Sequence, residues 1–376
     1  MTWLTRSFAA TVLAAVAASG AQLDATNFKL TESAYNSVIE KLDAILPIVN
    51  VSSVLADVNH VAPTQTVSAT NFLRGYTWED VSGYDDVNTD KWYPQGITTS
   101  ADALDTGIYE SKKVILIDWY DNTGLGKGVR VSFIDRTASG NAHYRNALLV
   151  EPYTDSSGNP NFKSVQVHGG GLMWYGNLLY LVDTNNGIRV FDLDHIYKVS
   201  IGDNIGRQSA TDYEAFNYAY VVPQCRNYKA SAVSPAMRWS FISLDRTTTP
   251  DSIVVGEYAA DTTVPAPRFL RFSIDYTNRL LTTTSGVATA TWAYEVDILR
   301  MQGATSINGK FYISRSNGAT TRGDLVTWVP GNAAVIHSAL APGCEDVSYN
   351  HNADELWTLS EHPGSRNFYA VKASAF

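Results

Sequence analysis

Five polar side chains recur at the start of a strand in successive, similar stretches of the sequence. They are Gln95, His168, Arg238, Gln302 and Glu345. The strand that follows each of them is otherwise made of small and apolar residues, so turn formation does not account for the polar position. Imidazole, guanidinium, carboxyl and amide groups together can bind a polar ligand and move protons on it. We expect these five side chains to share one wall of a ligand pocket.

A second polar set follows the second strand of each stretch. Its members are Asp121, Asp183, Glu257, Arg315, Glu361 and His362, with Asn122, Thr184, Asn185, Asp261 and Asn317 beside them. Turns select Asn, Asp and Gly for backbone reasons, so ordinary turn chemistry is the alternative interpretation of this set. In an antiparallel unit the turn after the second strand lies on the same side as the start of the first strand. Both sets are therefore predicted to meet on one face.

Two carboxyl groups on such a face could hydrolyse a glycosidic bond. That reaction uses one protonated and one ionised carboxyl group, roughly 5 to 10 Å apart. The candidates for catalysis are His168, Glu345, Asp183 and Glu361. The chain is acidic and carries carboxylates on all its surfaces, so the set permits this chemistry without requiring it.

Arginine on the same face indicates a second chemistry, the elimination of a uronic-acid glycan. Arg238 and Arg315 would neutralise the sugar carboxylate, and His168, helped by a tyrosine such as Tyr175, would remove the adjacent proton. The alternatives are that the arginines pair with neighbouring acids, and that His168, which precedes three glycines, only hydrogen-bonds a carbonyl. The predicted substrate-binding residues are Gln95, Arg238, Gln302, Arg315, Asp121, Trp174 and His362.

No cofactor follows from the sequence. Asp183, Asn185 and Glu345 could supply oxygen ligands to a calcium ion, but no loop has the spacing of an EF-hand. The motifs of serine hydrolases, zinc peptidases, dithiol redox proteins and nucleotide hydrolases do not occur in the sequence. The sequence therefore does not support an assignment to any of these classes.

The elements that must position these residues are short strands in five similar units, which begin at residues 95, 168, 238, 302 and 345. Each full unit holds four strands, and four-stranded units in radial array form a β-propeller. The last unit holds three strands, so the segment between residues 60 and 92 is expected to supply the fourth and close the ring. We predict an all-β fold with five blades; six blades, with one in the 205–216 region or the N-terminal region, is the alternative.

The stretches 168–176 (HGGGLMWYG), 187–196 (GIRVFDLDHI) and 356–364 (LWTLSEHPG) resemble a group of secreted fungal and bacterial β-propeller proteins. The resemblance runs from about residue 60 to the C-terminus. It implies secretion and a propeller fold. That group has no firmly assigned activity, so the resemblance transfers no catalytic residue.

The N-terminal region has a different pattern. Residues 1–20 place Arg6 before a short apolar run that ends in small residues, which is typical of a secretory signal peptide. Residues 31–46 space apolar side chains at helical intervals and predict one amphipathic helix. The expected domains are therefore a signal peptide at 1–20, a helical segment at 21–60 and a propeller at 61–376. Asn50 begins an N-glycosylation sequon.

Charge and cysteine content limit the partners. The formal net charge is -9 and no cluster of basic residues offers a phosphate-binding face, so nucleic acid is not expected as a partner. No apolar stretch is long enough to span a membrane. The two cysteines, Cys225 and Cys344, are predicted to form a disulfide in an oxidising compartment, which would require the chain after Cys225 to cross the pocket face.

We therefore expect an exported, monomeric propeller that acts on or binds an extracellular glycan or small sugar. The enzyme hypothesis is a glycan hydrolase or uronate lyase. A lectin-like module with the same pocket but no turnover is one alternative, and a host-interaction protein that uses its outer surface is another. Fold alone does not decide among them.

Overall fold

The computed structural model describes residues 20–376 and the backbone of residues 14–16. The prediction of an all-β fold is confirmed: strands dominate, and the helices are confined to short segments. The predicted signal peptide lies outside the described residues except for Gly20 and the strand Ala14–Val16, which pairs with Ala334–Leu340. No helix in the described part of the chain is long and apolar enough to cross a bilayer.

Four-stranded antiparallel units form the body of the molecule, and consecutive strands along the chain pair within each unit. The outer strands of the first two units, Ala142–Thr154 and Tyr220–Ala230, also pair with each other in parallel and join these two units into one larger sheet. We number the units one to five. Unit one contains Trp92–Thr99, Val114–Asp121, Val129–Asp135 and Ala142–Thr154. Unit two contains Leu172–Tyr175, Leu178–Asp183, Gly187–Asp192 and Tyr220–Ala230. Unit three contains Trp239–Asp245, Ser252–Glu257, Arg268–Ser273 and Trp292–Glu295.

Unit four contains Met301–Ile307, Lys310–Arg315, Gly323–Trp328 and Ala334–Leu340. Unit five takes three strands from the C-terminal end, Cys344–Asn350, Glu355–Ser360 and Asn367–Lys372, and its fourth from the N-terminal strand Phe72–Thr77. Tyr76 lies opposite Phe368 in that last pairing. The N-terminal segment therefore completes the final sheet and covers its edge, as closed all-β architectures require.

The first strand of every unit is the innermost one. Each inner strand contacts the inner strands of two other units, in the order one, two, three, four, five and back to one. Apolar side chains pack between neighbouring sheets, for example Phe269 of unit three against Phe311 and Trp328 of unit four. The arrangement is propeller-like, with a hub onto which the starts of the inner strands open.

The N-terminal region differs from the single helix predicted over residues 31–46. Lys29–Glu32 is a strand that pairs with the outer strand of unit two, and the helix runs only over Val38–Asp43. A second helix follows at Val51–Ala56, and its N-cap is the exposed Asn50, whose side chain accepts from the Ser53 amide at 2.9 Å. Leu30 is buried against the propeller, so tertiary packing has overridden the local helical pattern at residues 29–32.

The remaining short elements connect or cover the units. The strands are Ala21–Gln22, Ile48–Val49, His60–Ala62, Asp80–Val81, Tyr84–Asp85, Pro160–Ser164, Ile196–Lys198, Ile205–Arg207, Tyr213–Ala215 and Val287–Thr289. The helices are Ser100–Ala103 and the 3-10 turns Ala25–Asn27, Leu193–His195 and Ala373–Ala375. The chain at 193–219, between the third and fourth strands of unit two, therefore forms a separate excursion with its own two-stranded hairpin.

The predicted disulfide is wrong. Cys225 and Cys344 are both free and buried. The Cys225 thiol lies in the outer strand of unit two and faces the Val190 carbonyl at 3.4 Å, whereas the Cys344 thiol lies at the hub and faces the Arg315 carbonyl at 3.4 Å. Burial raises the pKa of both thiols, so both are protonated at neutral pH.

Candidate functional site

The inner strands present polar side chains to the hub because their pairing is interrupted there. Four of the five inner strands have a register irregularity against their second strand close to their start. The residues left out of register include Gln95, Ser240, Gln302 and Glu345. A β-bulge frees one residue from the alternation of the strand and redirects its side chain. These bulges therefore turn polar residues toward the axis at positions where alternation alone would not place them.

Unit two reaches the same result with glycine instead of a bulge. A Cβ on Gly170 would clash with the backbone carbonyl oxygen of Ser240, and one on Gly171 would lie 2.5 Å from the Ile242 amide nitrogen. Gly169 has a φ of +69°, in the left-handed region that glycine adopts without strain. The glycine run lets unit two pack directly on unit three and leaves His168 exposed at the rim.

A cavity of about 280 Å³ opens at the hub where these residues meet. All five polar residues that begin the inner strands line it, and Glu361 lines it too. The remaining lining residues are Tyr120, Gly170, Thr184, Trp239, Ser240 and Tyr258. A cavity of this size, with convergent polar groups and the three aromatic rings of Tyr120, Trp239 and Tyr258, suits a single sugar ring or another small polar ligand.

Glu345 is the buried acid of the cavity. Its side chain is 2% exposed, and its Oε1 accepts a hydrogen bond from the Gln302 amide at 2.9 Å. Burial raises the pKa of Glu345 well above its ordinary value of 4.5, and the neighbouring Glu361 carboxylate, which lies within hydrogen-bonding reach, raises it further. The surroundings of Glu345 therefore favour its protonated form.

Glu361 is the partly exposed member of this carboxyl pair. Its Oε2 accepts a hydrogen bond from the Gln95 amide at 2.8 Å, so each carboxyl group of the pair is held by one amide side chain. The buried Arg366 lies beside Glu361, but its Nε donates to the Glu361 backbone carbonyl at 2.6 Å and not to the carboxylate. The carboxylate of Glu361 is thus left to the cavity.

The same position is neutralised in three other units. The charged residue after or at the end of the second strand pairs with a residue of the third strand across the turn: Glu257 with Arg268 at 2.6 Å, and Arg315 with Asp324 at 2.6 Å. Asp183 pairs with Arg189 at 3.0 Å. Glu361 forms no such pair, because Arg366, the corresponding arginine, donates to backbone carbonyls.

His168 and Arg238 form the opposite side of the cavity. Although the His168 side chain is exposed at the rim, desolvation by the protein atoms around its ring and the nearby Arg238 charge lower its pKa, so the imidazole is neutral at pH 7. Its ring packs on Tyr120 with a centroid separation of 4.3 Å. Arg238 has no ion-pair partner among the residues that the structure describes, since Glu257 accepts from its backbone amide while binding Arg268.

Tyr120 lies between the two sides. Burial raises the pKa of Tyr120 to about 12, and the Glu361 charge contributes to the rise. The phenol is therefore protonated at neutral pH and can donate a hydrogen bond to a ligand.

Two further acids lie buried beside the cavity floor. Asp118 accepts from the Gly96 amide at 2.6 Å, and Asp346 accepts from the amides of Ile97 and Leu172 at 3.2 and 3.3 Å. Burial raises the pKa of both carboxyl groups well above the ordinary range. They tie units one, two and five together at the hub. The sequence pattern does not predict them, because acids inside strands normally point outward.

Several residues predicted for the site do not line the cavity. Asp183 and Arg315 are occupied by the ion pairs described above, and Asp121 accepts from the backbone amides of Thr123 and Lys127 in its own turn. Trp174 is fully buried and donates its indole N–H to the Gly176 carbonyl at 2.7 Å. His362 lies outside the cavity lining, with its Nε2 3.7 Å from Glu361 Oε1.

The calcium ligand set considered from the sequence does not come together. Asp183 lines a separate cavity with Arg189, whereas Glu345 lies at the hub. Within residues 20–376, no group of three or more His, Cys, Asp or Glu side chains is placed to hold a metal ion.

Ser240, Tyr258 and Arg366 are members of the site that the sequence alone does not identify. Ser240 owes its place to a bulge, and Tyr258 follows directly on Glu257 at the end of a second strand. The place of Tyr258 beside Glu257 is the one signal in the sequence that points to it.

No protein-family profile matches this chain, and no curated protein matches it. Among solved structures, a GH43_1 enzyme from Xanthomonas citri complexed with xylotriose aligns with 89% of this chain and 92% of its own, at 8% identity and a TM-score of 0.37. A gluconolactonase from Xanthomonas campestris aligns with 87% and 88%, at 12% identity and a TM-score of 0.36. The RS223 β-xylosidase aligns with 74% and 91%, at 9% identity and a TM-score of 0.32.

Proposed function

We propose that this chain is an exported five-bladed β-propeller that hydrolyses an extracellular glycan in the hub cavity. The observation that carries the proposal is the carboxyl pair at the cavity floor, in which Glu345 is buried and has a raised pKa while Glu361 is partly exposed. Two neighbouring carboxyl groups in different environments, one of which favours the protonated form, are the arrangement that acid–base hydrolysis needs.

The roles follow from the two environments. Glu345 donates its proton to the glycosidic oxygen as the bond to the anomeric carbon breaks, and Glu361 accepts a proton from the water that attacks that carbon. One water is consumed and two hydroxyl groups form, one on each fragment. Gln302 and Gln95 hold the two carboxyl groups in orientation through the hydrogen bonds described above.

The short distance between the Glu345 and Glu361 carboxyl groups means that one of them must move when a sugar binds. Carboxyl groups of known glycosidases are about 5 to 9 Å apart, whereas Glu345 and Glu361 are in hydrogen-bonding reach. A sugar that enters the cavity must therefore separate them. Glu361 is the member that can turn, because its side chain is 19% exposed and Glu345 is enclosed.

Elimination of a uronic-acid glycan is the second candidate, and one observation favours it. Arg238 is a cation at the cavity without an ion-pair partner in the described part of the chain, and neutral His168 lies next to it. Arginine would hold the sugar carboxylate and His168 would take the neighbouring proton. Arg315, which the sequence had offered for the same role, is neutralised by Asp324.

The proposal also includes the location, the oligomeric state and the glycosylation of the protein. We propose that the chain is secreted as a monomer, because the sequence begins with a signal-peptide pattern and resembles secreted propellers. Asn50 is exposed and therefore open to glycosylation.

The test uses the purified chain and a panel of neutral and uronic-acid polysaccharides. Hydrolysis releases reducing ends without ultraviolet absorbance, whereas elimination also produces an absorbing unsaturated sugar. Glu345→Gln is the matched inactive variant, since glutamine imitates the protonated acid and cannot donate its proton. Activity retained in Glu345→Gln would remove the proposed acid, and binding of a polysaccharide without either product would leave a lectin-like module.

A further inference from the structure

A second cavity, of about 480 Å³, is lined by Trp92, three residues before Gln95 of the hub cavity on the inner strand of unit one. Its lining residues come from the N-terminal segment, from the first, third and fourth strands of unit one, and from the 193–219 excursion. The proposed reaction uses none of its residues. We call it the lateral cavity.

Aromatic rings form the walls of the lateral cavity. Trp92 meets Tyr218 edge to face at 6.2 Å, and Tyr84 stacks on His60 at 3.7 Å. Phe216 is half-buried, and the Lys127 Nζ lies over its ring, 5.8 Å from the ring centroid. Partly exposed rings in a recess are the surfaces on which sugar rings stack, because the C–H face of a sugar is apolar while its edge is polar.

The floor of the lateral cavity is polar and fixed. Asp86 is 2% exposed and binds Arg130 at 2.6 Å, and the Tyr84 hydroxyl donates to Asp86 at 2.7 Å. Asn146 donates to the Tyr84 hydroxyl at 2.7 Å. Arg130, 3% exposed, lines the cavity and has a buried Nε without a hydrogen-bond partner.

The excursion carries backbone strain at this cavity. Phe216 and Asn217 have φ values of +49° and +67°, in the left-handed region. The conformation is costly for phenylalanine and is concentrated at functional positions in proteins. It places Phe216 over the lateral cavity.

The two cavities are joined by one strand and one arginine. Trp92 lines the lateral cavity and Gln95 lines the hub cavity, so three residues of extended strand, roughly 10 Å, separate them. Arg366 bridges the same interval, since its Nη1 donates to the Asp86 carbonyl at 3.1 Å and its Nε to the Glu361 carbonyl. Tyr93 and Tyr120 stack at 5.8 Å along this path.

We propose that the lateral cavity is a distal subsite that binds a second sugar unit of the same glycan chain. The inference rests on the proposed function of the hub, since it assigns the other end of the chain to Glu345 and Glu361. A glycan that occupies both cavities has at least three sugar units, so the substrate class is an oligosaccharide or polysaccharide and not a free monosaccharide.

The experiment measures affinity against chain length by calorimetry, with β-1,4-linked xylo-oligosaccharides and oligogalacturonides of one to six units as probes. The protein is the full chain with Glu345→Gln, so that the probe is not consumed. We expect affinity to rise about tenfold, equivalent to about 1.4 kcal/mol, between two and four units of the chain that binds. Phe216→Asn in the same background should remove this gain and leave the affinity for the shortest bound probe unchanged, because asparagine tolerates the left-handed conformation.

The control is Tyr153→Ala, which removes a 37% exposed ring outside both cavities and should keep the full gain. Affinity that does not grow with length, or growth that survives Phe216→Asn, would overturn the lateral subsite and leave the hub proposal standing. If no probe in either series bound, hub and subsite would fall together for both classes of glycan.

Discussion

Glu257 in unit three and Glu361 in unit five occupy equivalent places, at the turn after the second strand, and have opposite surroundings. Glu257 is buried and receives both a 2.6 Å and a 2.9 Å bond from Arg268. Glu361 is partly exposed to the cavity, and its arginine, Arg366, binds backbone carbonyls instead. The two residues are of the same type and have the same place in their units. The direction in which the neighbouring arginine points therefore decides whether the carboxylate is held in an ion pair or is available for chemistry.

The comparison explains why a turn carboxylate is weak evidence for catalysis. A carboxylate that lies across a turn from an arginine forms an ion pair with it in the folded state. That carboxylate is then no longer available to a ligand. Asp183 follows the Glu257 pattern, and Arg315 follows it with the charges reversed. Glu361 became available because Arg366 is 1% exposed and is held under Trp119 and Tyr93.

The strongest test of this comparison is Glu361→Gln. We expect kcat/KM for the glycan to fall roughly 10²- to 10⁴-fold, because the base for water is lost while the amide keeps a hydrogen bond with Gln95. Thermal unfolding should change by only a few degrees. Steady-state assays of reducing ends with the most rapidly cleaved polysaccharide measure the effect, and activity within tenfold of the unaltered chain would contradict the role of Glu361.

The matched change, Glu257→Gln, should reverse the pattern. Breaking the buried pair leaves Arg268 without its carboxylate, and we expect a loss of about 3 to 5 kcal/mol in the free energy of unfolding. The folded fraction should keep kcat within about threefold. Denaturant unfolding and active-fraction assays separate the two quantities. A stable Glu257→Gln protein would show that the pair with Arg268 contributes little.

The buried acid of the hub predicts a pH dependence of stability. The folded-state pKa of Glu345 is raised above its unfolded value, so its contribution to stability is complete at acidic pH and is lost as pH rises through the raised pKa. Asp118 and Asp346 have shifts of the same sign. The free energy of unfolding should therefore fall from mildly acidic toward alkaline pH, and Glu345→Gln should make the fall less steep. An unchanged slope in that variant would contradict the buried, protonated state.

The smallest expected effect is that of His168→Ala. If the carboxyl pair hydrolyses the glycan, the histidine at the rim contributes to binding alone, and kcat should stay within about threefold. If the chain eliminates uronic-acid glycans, loss of the base should reduce kcat by 10²-fold or more. Following both products for the same variant decides between the two chemistries, with Tyr153→Ala as the unaffected control.

The sequence predicted the cavity better than it predicted its chemistry. The repeat placed Gln95, His168, Arg238, Gln302 and Glu345 at the same point of five units, and all five line one cavity because the inner strands meet at a hub. The point in each unit at which the inner strand begins follows from the repeated sequence pattern, so the sequence predicts it directly. The bulges that bring Ser240 and Gln302 out of register depend on pairing between strands and leave no mark in a single strand.

The errors have the same origin. Asp183 and Arg315 were offered for the site because they follow a second strand, yet each one is drawn to the third strand by an opposite charge. The disulfide was inferred from cysteine count, and the fold places Cys225 and Cys344 in different environments. At the start of the helix predicted over residues 31–46 the structure has a strand instead, because pairing with unit two satisfies the hydrogen-bonding groups of the backbone there. Contacts between distant residues decided each of these cases.

The strand Phe72–Thr77, which completes the last sheet, has a consequence for how this protein reaches its native state. Its partner Asn367–Lys372 lies far along the chain, so the ring stays open until both strands have been synthesised. Folding that depends on pairing between such distant strands is slow, and strand edges are exposed until the pairing forms. A chain without residues 367–376 would retain all five polar hub positions in its sequence and still lack the strand pairing that closes the ring.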